Sequence, residues 1–536
     1  MRSLDRWLLF LTGLLVFGAV YLLEPAPGYM DADYYALDGL RIAKGETGEP
    51  FLWHYLDDPD GIPHPAFSYW MPLPAWIAAL GAVLTPFDGD AAARLPFFLL
   101  SVTVPPLTAA LGYALTRRRS AALLSGIFAL LPAFYLPFLP TSDSFAPLAL
   151  FGALLFLLIA SLSPHPLTSS SHHPIIPSPP HLIISSSHHL LILILPLSLL
   201  TGLLYLTRAE GLLWLLPAAF VLWRLRLPPR GWMIFTGGFL LLALPWVLRN
   251  LAVFGTPGSP VGLRPLWLTT YDELYTYPAS QLTPAHLLAA GWESILRARL
   301  WALGQNLQTA LAVQGEIFLS PLILAGAWRL RRSLAVQTGA LAWGLLFLAM
   351  TFPFPFAGAR GGFFHAGAVL QPLWWALAPE GLRAFTDWGA RRRGWQPVRA
   401  YRIFAGGLAG LAFALSAFIL WSRVIGADGP PLAWGRSAAH YRRVEARLQA
   451  QGALPGERVL VNNPPGYVLA SGRPALAIPY GDSRTLLEVA RRYDVRYLIL
   501  EPNYRGGPLD SLYRSPPPFL HPLFTLDDTL IFAISP

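Results

Sequence analysis

The chain contains no cysteine among its 536 residues. That excludes disulfides, a thiolate nucleophile and any cysteine-based metal site. Charge is scarce too. Asp, Glu, Lys and Arg make up 13% of the chain, where a soluble protein carries roughly a quarter. Nothing matches a P-loop or a dinucleotide-binding fingerprint. What remains is apolar: 54% of residues are hydrophobic. The composition is that of a polytopic membrane protein. Its net charge of +9 does not signal nucleic acid, because membrane proteins gather Lys and Arg in their cytoplasmic loops.

Candidate spans lie at 7–23, 95–115, 121–139, 145–162, 190–206, 212–225, 232–248, 307–330, 334–352, 363–377 and 403–425, about 11 in all, the fifth and sixth being short and closely joined. Basic clusters punctuate them. Arg2 and Arg6 precede the first run, and Arg117, Arg118 and Arg119 follow the second. Arg224, Arg226 and Arg230 follow the sixth, and Arg329, Arg331 and Arg332 the eighth. Arg391, Arg392 and Arg393 lie between the last two. With a cytoplasmic N-terminus, every cluster falls inside and the tail beyond Val424 falls outside. The first run is followed by "LLEPAPGYM", which lacks a small-x-small cleavage site, so it reads as a span and not as a signal peptide. The expected location is the plasma membrane, with many passes.

Residues 1–425 form the membrane part, with outer loops at 24–94 and 250–305. The first loop holds "HPAFSYWMPLPAWIAALGAVLTPF", suited to a helix lying in the interface. The second ends in a helical stretch at 284–303. An inner loop at 163–189 carries SSSHH twice; it reads as a low-complexity insertion and not as a histidine metal site. Residues 426–536 change character. "RVLVNN", "ALAIP" and "RYLILE" alternate with helical "SAAHYRRVEARLQAQ" and "SRTLLEVARRY", which predicts a small extracytoplasmic α/β domain. The expected fold is thus all-α in the membrane, with this domain appended.

Polar chemistry collects on the outer side. "GYMDADYYALDGL" sets Asp31 and Asp33 just beyond the first span, although carboxylates are expensive near lipid. Asp143 lies in "LPTSDSFAP", Arg208 and Glu210 in "LTRAEGLL", Arg249 in "PWVLRN", and Arg360 and His365 in "PFAGARGGFFHAG". His54 and His64 sit in the first loop. Each has an ordinary reading: a solvated loop acid, a helix N-cap for Asp143, a turn before Pro65 for His64, a headgroup contact for an arginine. As a set they suit one reaction. A carboxylate deprotonates an incoming hydroxyl or amine. Arg208, Arg249 and Arg360, with His365, neutralise a departing phosphate. At headgroup level that phosphate belongs to a lipid, so the reaction expected is sugar transfer from a lipid phosphate. His64 falls to the acceptor side. Asp-x-Asp leaves room for a divalent cation on Asp31 and Asp33 without requiring one.

The order of "GYMDADYYALDGLRIAKGE", "HPAFSYWMPLPAWIAALGAVL", "AARLPFFLLSV", "TSDSFAP", "YLTRAEGLLWLLP" and "PWVLRNLAVFGTPGSP" resembles that of bacterial multi-pass glycosyltransferases of the GT-C superfamily. The chain is similar to the family-39-like protein mannosyltransferases and to the lipid A aminoarabinose transferases. The resemblance covers roughly residues 1–425 and leaves the tail unmatched. It implies a polyprenyl-phosphate sugar donor and a protein, lipid or glycan acceptor. It places the catalytic base on Asp31 or Asp33, with Asp143 as the assisting second acid. Two other readings compete: a transporter or flippase of lipid-linked sugars, and a non-catalytic envelope-assembly protein. A transporter should carry polar groups near the midplane, and the apolar runs here are almost free of charge.

Overall fold

The computed structural model describes residues 2–57, 59–162 and 181–535. The first SSSHH repeat lies outside them; the second falls in the opening turns of the His181–Thr207 helix. The chain is a multi-pass membrane protein. Among the described residues, six helices are long and apolar enough to cross a bilayer: Ser3–Leu23, Gly89–Thr116, Phe145–Leu162, Pro229–Phe254, Leu334–Thr351 and Pro397–Ile425.

The expected run at 190–206 lies within the continuous His181–Thr207 helix, whereas three others are broken or displaced. The run at 121–139 is helical only over Arg119–Leu130, then turns through Ala133–Tyr135. The run at 307–330 is interrupted between Gln314 and Ser320, where Glu316 and Ile317 take left-handed φ of 46° and 60°. This break buries Glu316, whose carboxylate accepts the Trp375 indole N–H at 2.7 Å. The run at 363–377 is two helices, Phe363–Gly367 and Gln371–Arg393, the second continuing well past the expected end. Hydrophobicity alone reports burial, and these breaks are buried against other helices, where irregular backbone is tolerated.

Two helices between the first two spans position the site. Met30–Ala43 lies against Leu73–Leu84, whose Trp76, Leu80, Val83 and Leu84 remain exposed. Gly39 allows the close approach: a Cβ there would meet the Ala75 carbonyl at 2.9 Å.

The tail builds a six-stranded sheet in the order Phe51–Leu52, Ala475–Ala477, Arg458–Val461, Val495–Leu500, Thr529–Ile534, Leu520–Leu526. The first four run parallel, and the last two form an antiparallel hairpin. The edge strand Phe51–Leu52 comes from the loop between the first two spans, so the sheet ties residues more than 400 positions apart. Side chains alternate between faces. Phe51, Val459, Ile499 and Ile531 pack with Tyr34 and Tyr35 of the Met30–Ala43 helix. Leu52, Leu460, Leu498 and Phe532 pack with Leu486 and Val489 of the outer helix Ser483–Arg492. The hairpin turn uses Asp527 and Asp528 at φ of 47° and 62°, the geometry of a type I′ turn.

Tail and acids share one end of the bundle; Trp434 donates to the Ala26 carbonyl at 3.1 Å there. Basic residues gather at the other end, where Arg119 pairs with Asp5 at 2.6 Å and Arg329 with Asp387 at 2.8 Å.

Candidate active site

Asp31 and Asp33 do not lie in a loop. They occupy the first turn of the Met30–Ala43 helix, where acids complement the helix dipole. Spacing of two on a helix turns them to different faces. Asp31 points to Asp143 and His365, the three offering ligand atoms within 4.8 Å of one another. Asp33 points to the tail, where the Asn463 side-chain amide donates to its Oδ2 at 2.8 Å. Asp33 therefore shares no cation site with Asp31; the geometry replaces it there with Asp143 and His365.

The three members arrive by different routes. Asp143 sits in the turn before Phe145–Leu162, with its Oδ1 accepting the Ser144 backbone N–H. Its Oδ2 accepts the Tyr29 hydroxyl at 2.6 Å and faces His365 Nε2 at 2.9 Å. His365 stacks on Phe145, with ring centres 4.2 Å apart. Its Nδ1 donates to the Gly361 carbonyl at 2.9 Å, which turns Nε2 toward both carboxylates, 3.5 Å from Asp31 Oδ2. That arrangement suits an imidazolium between two acids or a neutral imidazole offering its lone pair to a cation.

The two acids have opposed environments. Burial raises the Asp31 carboxyl, with Asp143 adding to the rise against the pull of His365 and Arg208. At Asp143 burial also acts upward, but His365, Tyr29 and Arg208 together hold it below the ordinary value. Asp31 keeps 21% of its side chain exposed and Asp143 none. One member is thus open and basic, the other closed and ionised, the separation expected of paired carboxylates with distinct roles.

Arg208 completes the set. It is buried, ion-paired with Glu210 and laid over the Trp70 ring at 5.3 Å. Its Nη1, the Trp70 indole nitrogen and the Tyr35 hydroxyl are all buried without a hydrogen-bond partner. Buried donors are ordinarily satisfied; these are left for an acceptor the protein does not supply. Arg360 is exposed and lies over Tyr271 at 4.7 Å.

The remaining expected residues are engaged elsewhere. Arg249 binds the Ala66 carbonyl and the Asn250 side chain, and lies against Phe67, Trp246 and Phe254. His64 pairs its short strand with Gly48–Glu49 and bonds the Phe51 carbonyl at 2.9 Å. Tyr29, Tyr35, Trp70, Tyr271 and Asn463 join the site without a motif in the sequence that singles them out. The first two stand inside the quoted acidic stretch; nothing in the sequence ties Asn463 to it.

No protein-family model and no curated protein sequence matches the chain. Solved structures do. The archaeal oligosaccharyltransferase AglB from Archaeoglobus fulgidus, in complex with an inhibitory peptide and a dolichol-phosphate, aligns at TM-score 0.52 and 13% identity, over 92% of this chain and 70% of its own. The Archaeoglobus fulgidus oligosaccharyltransferase with Zn and sulfate gives 0.54 and 13%, over 93% and 68%. ArnT from Cupriavidus metallidurans, bound to undecaprenyl phosphate, gives 0.49 and 13%, over 99% and 98%. At such identity the likeness is one of fold: this chain shares the fold of the Archaeoglobus fulgidus oligosaccharyltransferase structures, in keeping with the resemblance read from its sequence.

Proposed function

We propose that the chain is a glycosyltransferase moving a sugar from a polyprenyl-phosphate donor to a hydroxyl or amine acceptor at the outer face of the membrane. The observation that carries this is the juxtaposition of a partly open Asp31 with buried, unspent donors around Arg208. Asp31 takes the acceptor proton. Asp143 and His365 hold it in place, with Tyr29 fixing Asp143. Arg208 and Tyr35 receive the phosphate as the sugar leaves it, and Arg360 extends that positive surface. The dolichol-phosphate bound to AglB is consistent with such a donor.

Asp31, Asp143 and His365 also fit a divalent cation. Two carboxylates and an imidazole whose other nitrogen is held by a carbonyl form a suitable donor set. Such an ion would supply further positive charge beside the phosphate. The oligosaccharyltransferase with bound Zn lends support to this reading.

The test is turnover of a polyprenyl-phosphate sugar by the purified protein, alongside its Asp31→Asn form, each with and without chelator. Turnover by the wild type and its loss in the variant sustain the proposal. Equal turnover in both removes Asp31 as base; leaflet-to-leaflet movement of the donor in reconstituted vesicles, without transfer, hands the chain to the transporter reading.

A further inference from the structure

At the end of the bundle opposite the acids, the Arg119–Leu130, Gln371–Arg393 and Pro397–Leu420 helices enclose a cavity of about 240 Å³. Its remoteness follows from helix length. Pro397–Leu420 begins at the cavity and ends beside the tail 24 residues later, about 36 Å at 1.5 Å per residue.

The lining is one-sided in its unspent chemistry. Arg118, Arg383 and Arg402 bring three guanidinium groups to the cavity. Glu380 and Asp387 face it as well, but Arg329 holds both acids, at 3.0 and 2.8 Å. Arg383 stays 4.0 Å from Asp387, and its Nε is buried with no hydrogen-bond partner. The Arg118 and Arg402 side chains are exposed; Arg118 is drawn to Glu380 by charge alone. The Tyr401 hydroxyl is buried on the same wall, beside Ser120, with no partner in hydrogen-bond geometry. The cavity thus offers several donors, while the charge of its two acids is already matched by Arg329.

We propose that this cavity holds the phosphate of an anionic phospholipid from the leaflet opposite the active site. Guanidinium groups match phosphate oxygens bidentately. The volume falls below the 300–1,000 Å³ typical of drug-sized ligands and suits a headgroup. Val398, Ile403, Phe385 and Trp388 lie exposed on the same helix ends, an apolar surface for acyl chains that a soluble phosphate ester has no use for. Basic pockets between membrane helices take anionic headgroups on this physical ground. The lipid would brace the helix whose other end follows His365, and the site stands independently of the glycosyltransferase reading.

The test uses the full-length chain, delipidated in neutral detergent and titrated with short-chain phosphatidylglycerol, phosphatidylcholine of the same chain length, and glycerol phosphate. Saturable phosphatidylglycerol binding, at least tenfold tighter than phosphatidylcholine, is expected. The Arg118→Gln/Arg402→Gln double variant should bind it about 10- to 30-fold more weakly, while keeping its circular dichroism spectrum and melting temperature, since both residues are exposed. Arg402→Lys, which keeps the charge, should retain most of the affinity. Unchanged binding in the double variant overturns the site. Glycerol phosphate binding as tightly as the lipid overturns the lipid assignment and gives the cavity to a soluble phosphate ester.

Discussion

Two clusters along the Met30–Ala43 helix use the same residue types to different ends. One joins Asp31 to Asp143 and His365. The other, some two turns further along, joins Asp38 to Glu49 and His64. The second cluster is sealed: Asp38, Glu49 and His64 are 2%, 0% and 5% exposed. Glu49 Oε1 accepts the Tyr34 hydroxyl at 2.9 Å and the Phe67 backbone N–H at 2.7 Å, and Glu49 Oε2 lies 3.3 Å from His64. Burial drives all three toward neutrality. It raises Glu49 well above its ordinary value, lifts Asp38 to about 7 and lowers His64 to about 4. The first cluster keeps an opening at Asp31 and leaves donors unspent beside it. The sealed cluster has unpartnered carboxylate oxygens at Asp38 and Glu49, so what sets the first apart is its opening and the unspent donors beside it.

The contrast breaks most sharply at Asp31. Asp31→Asn should lower turnover by roughly 10²- to 10⁴-fold, the usual cost of losing a general base, with thermal stability nearly unchanged. Wild-type turnover in that variant would make both clusters structural. Next comes Arg208. Removing a buried charge-assisted contact to phosphate costs on the order of 2 to 5 kcal/mol. Arg208→Ala should thus weaken use of the donor far more than use of the acceptor, and Arg208→Lys should recover part of it. Equal effects on the two substrates would take Arg208 out of the phosphate contact.

The sealed cluster should respond in the opposite measurement. Glu49→Ala strands buried donors, at about 1 to 3 kcal/mol each, so the melting temperature should fall clearly. The folded fraction should keep its donor affinity; a specific loss of turnover at full stability would join the two clusters into one site.

The smallest effect belongs to Asp33. Burial lifts its carboxyl to about 8, opposed by the Asn463 hydrogen bond. An unfolded aspartate titrates near 4, so the folded state binds the extra proton. Its stability is full below about pH 4 and is lost as pH rises through about 8. Asp33→Asn keeps an oxygen for Asn463 and removes the titration. The variant should melt higher than the wild type at pH 8, match it at pH 4, and retain most of its turnover. An unaltered pH dependence of melting would mean that Asp33 is not buried against the tail as described.

Much of this was legible beforehand because it follows from local composition. The acidic stretch, Asp143, Arg208 and His365 stand out as polar residues flanking apolar runs. The strand and helix patterns of the tail follow from periodicity. Breaks inside apolar runs were not legible, because the run at 307–330 is hydrophobic whether continuous or interrupted at Glu316. The sheet's edge strand was hidden for another reason: Phe51–Leu52 is too short to signal a strand, and its partner lies in the tail.

The sequence alone determined that the chain enters a membrane, that its basic residues gather between spans and its acids just beyond them, and that its tail mixes helix and strand. These are properties of solvation and repeat. Only the tertiary structure decided which acids act together. The two-residue spacing of Asp31 and Asp33 reads as a pair in a loop, but in a helix it faces them apart. Asp31 then meets Asp143 and His365, brought from 112 and 334 positions away, while Asp33 is turned to Asn463 by the docking of the tail. That choice depends on helix geometry and on contacts between distant segments, which no local pattern encodes.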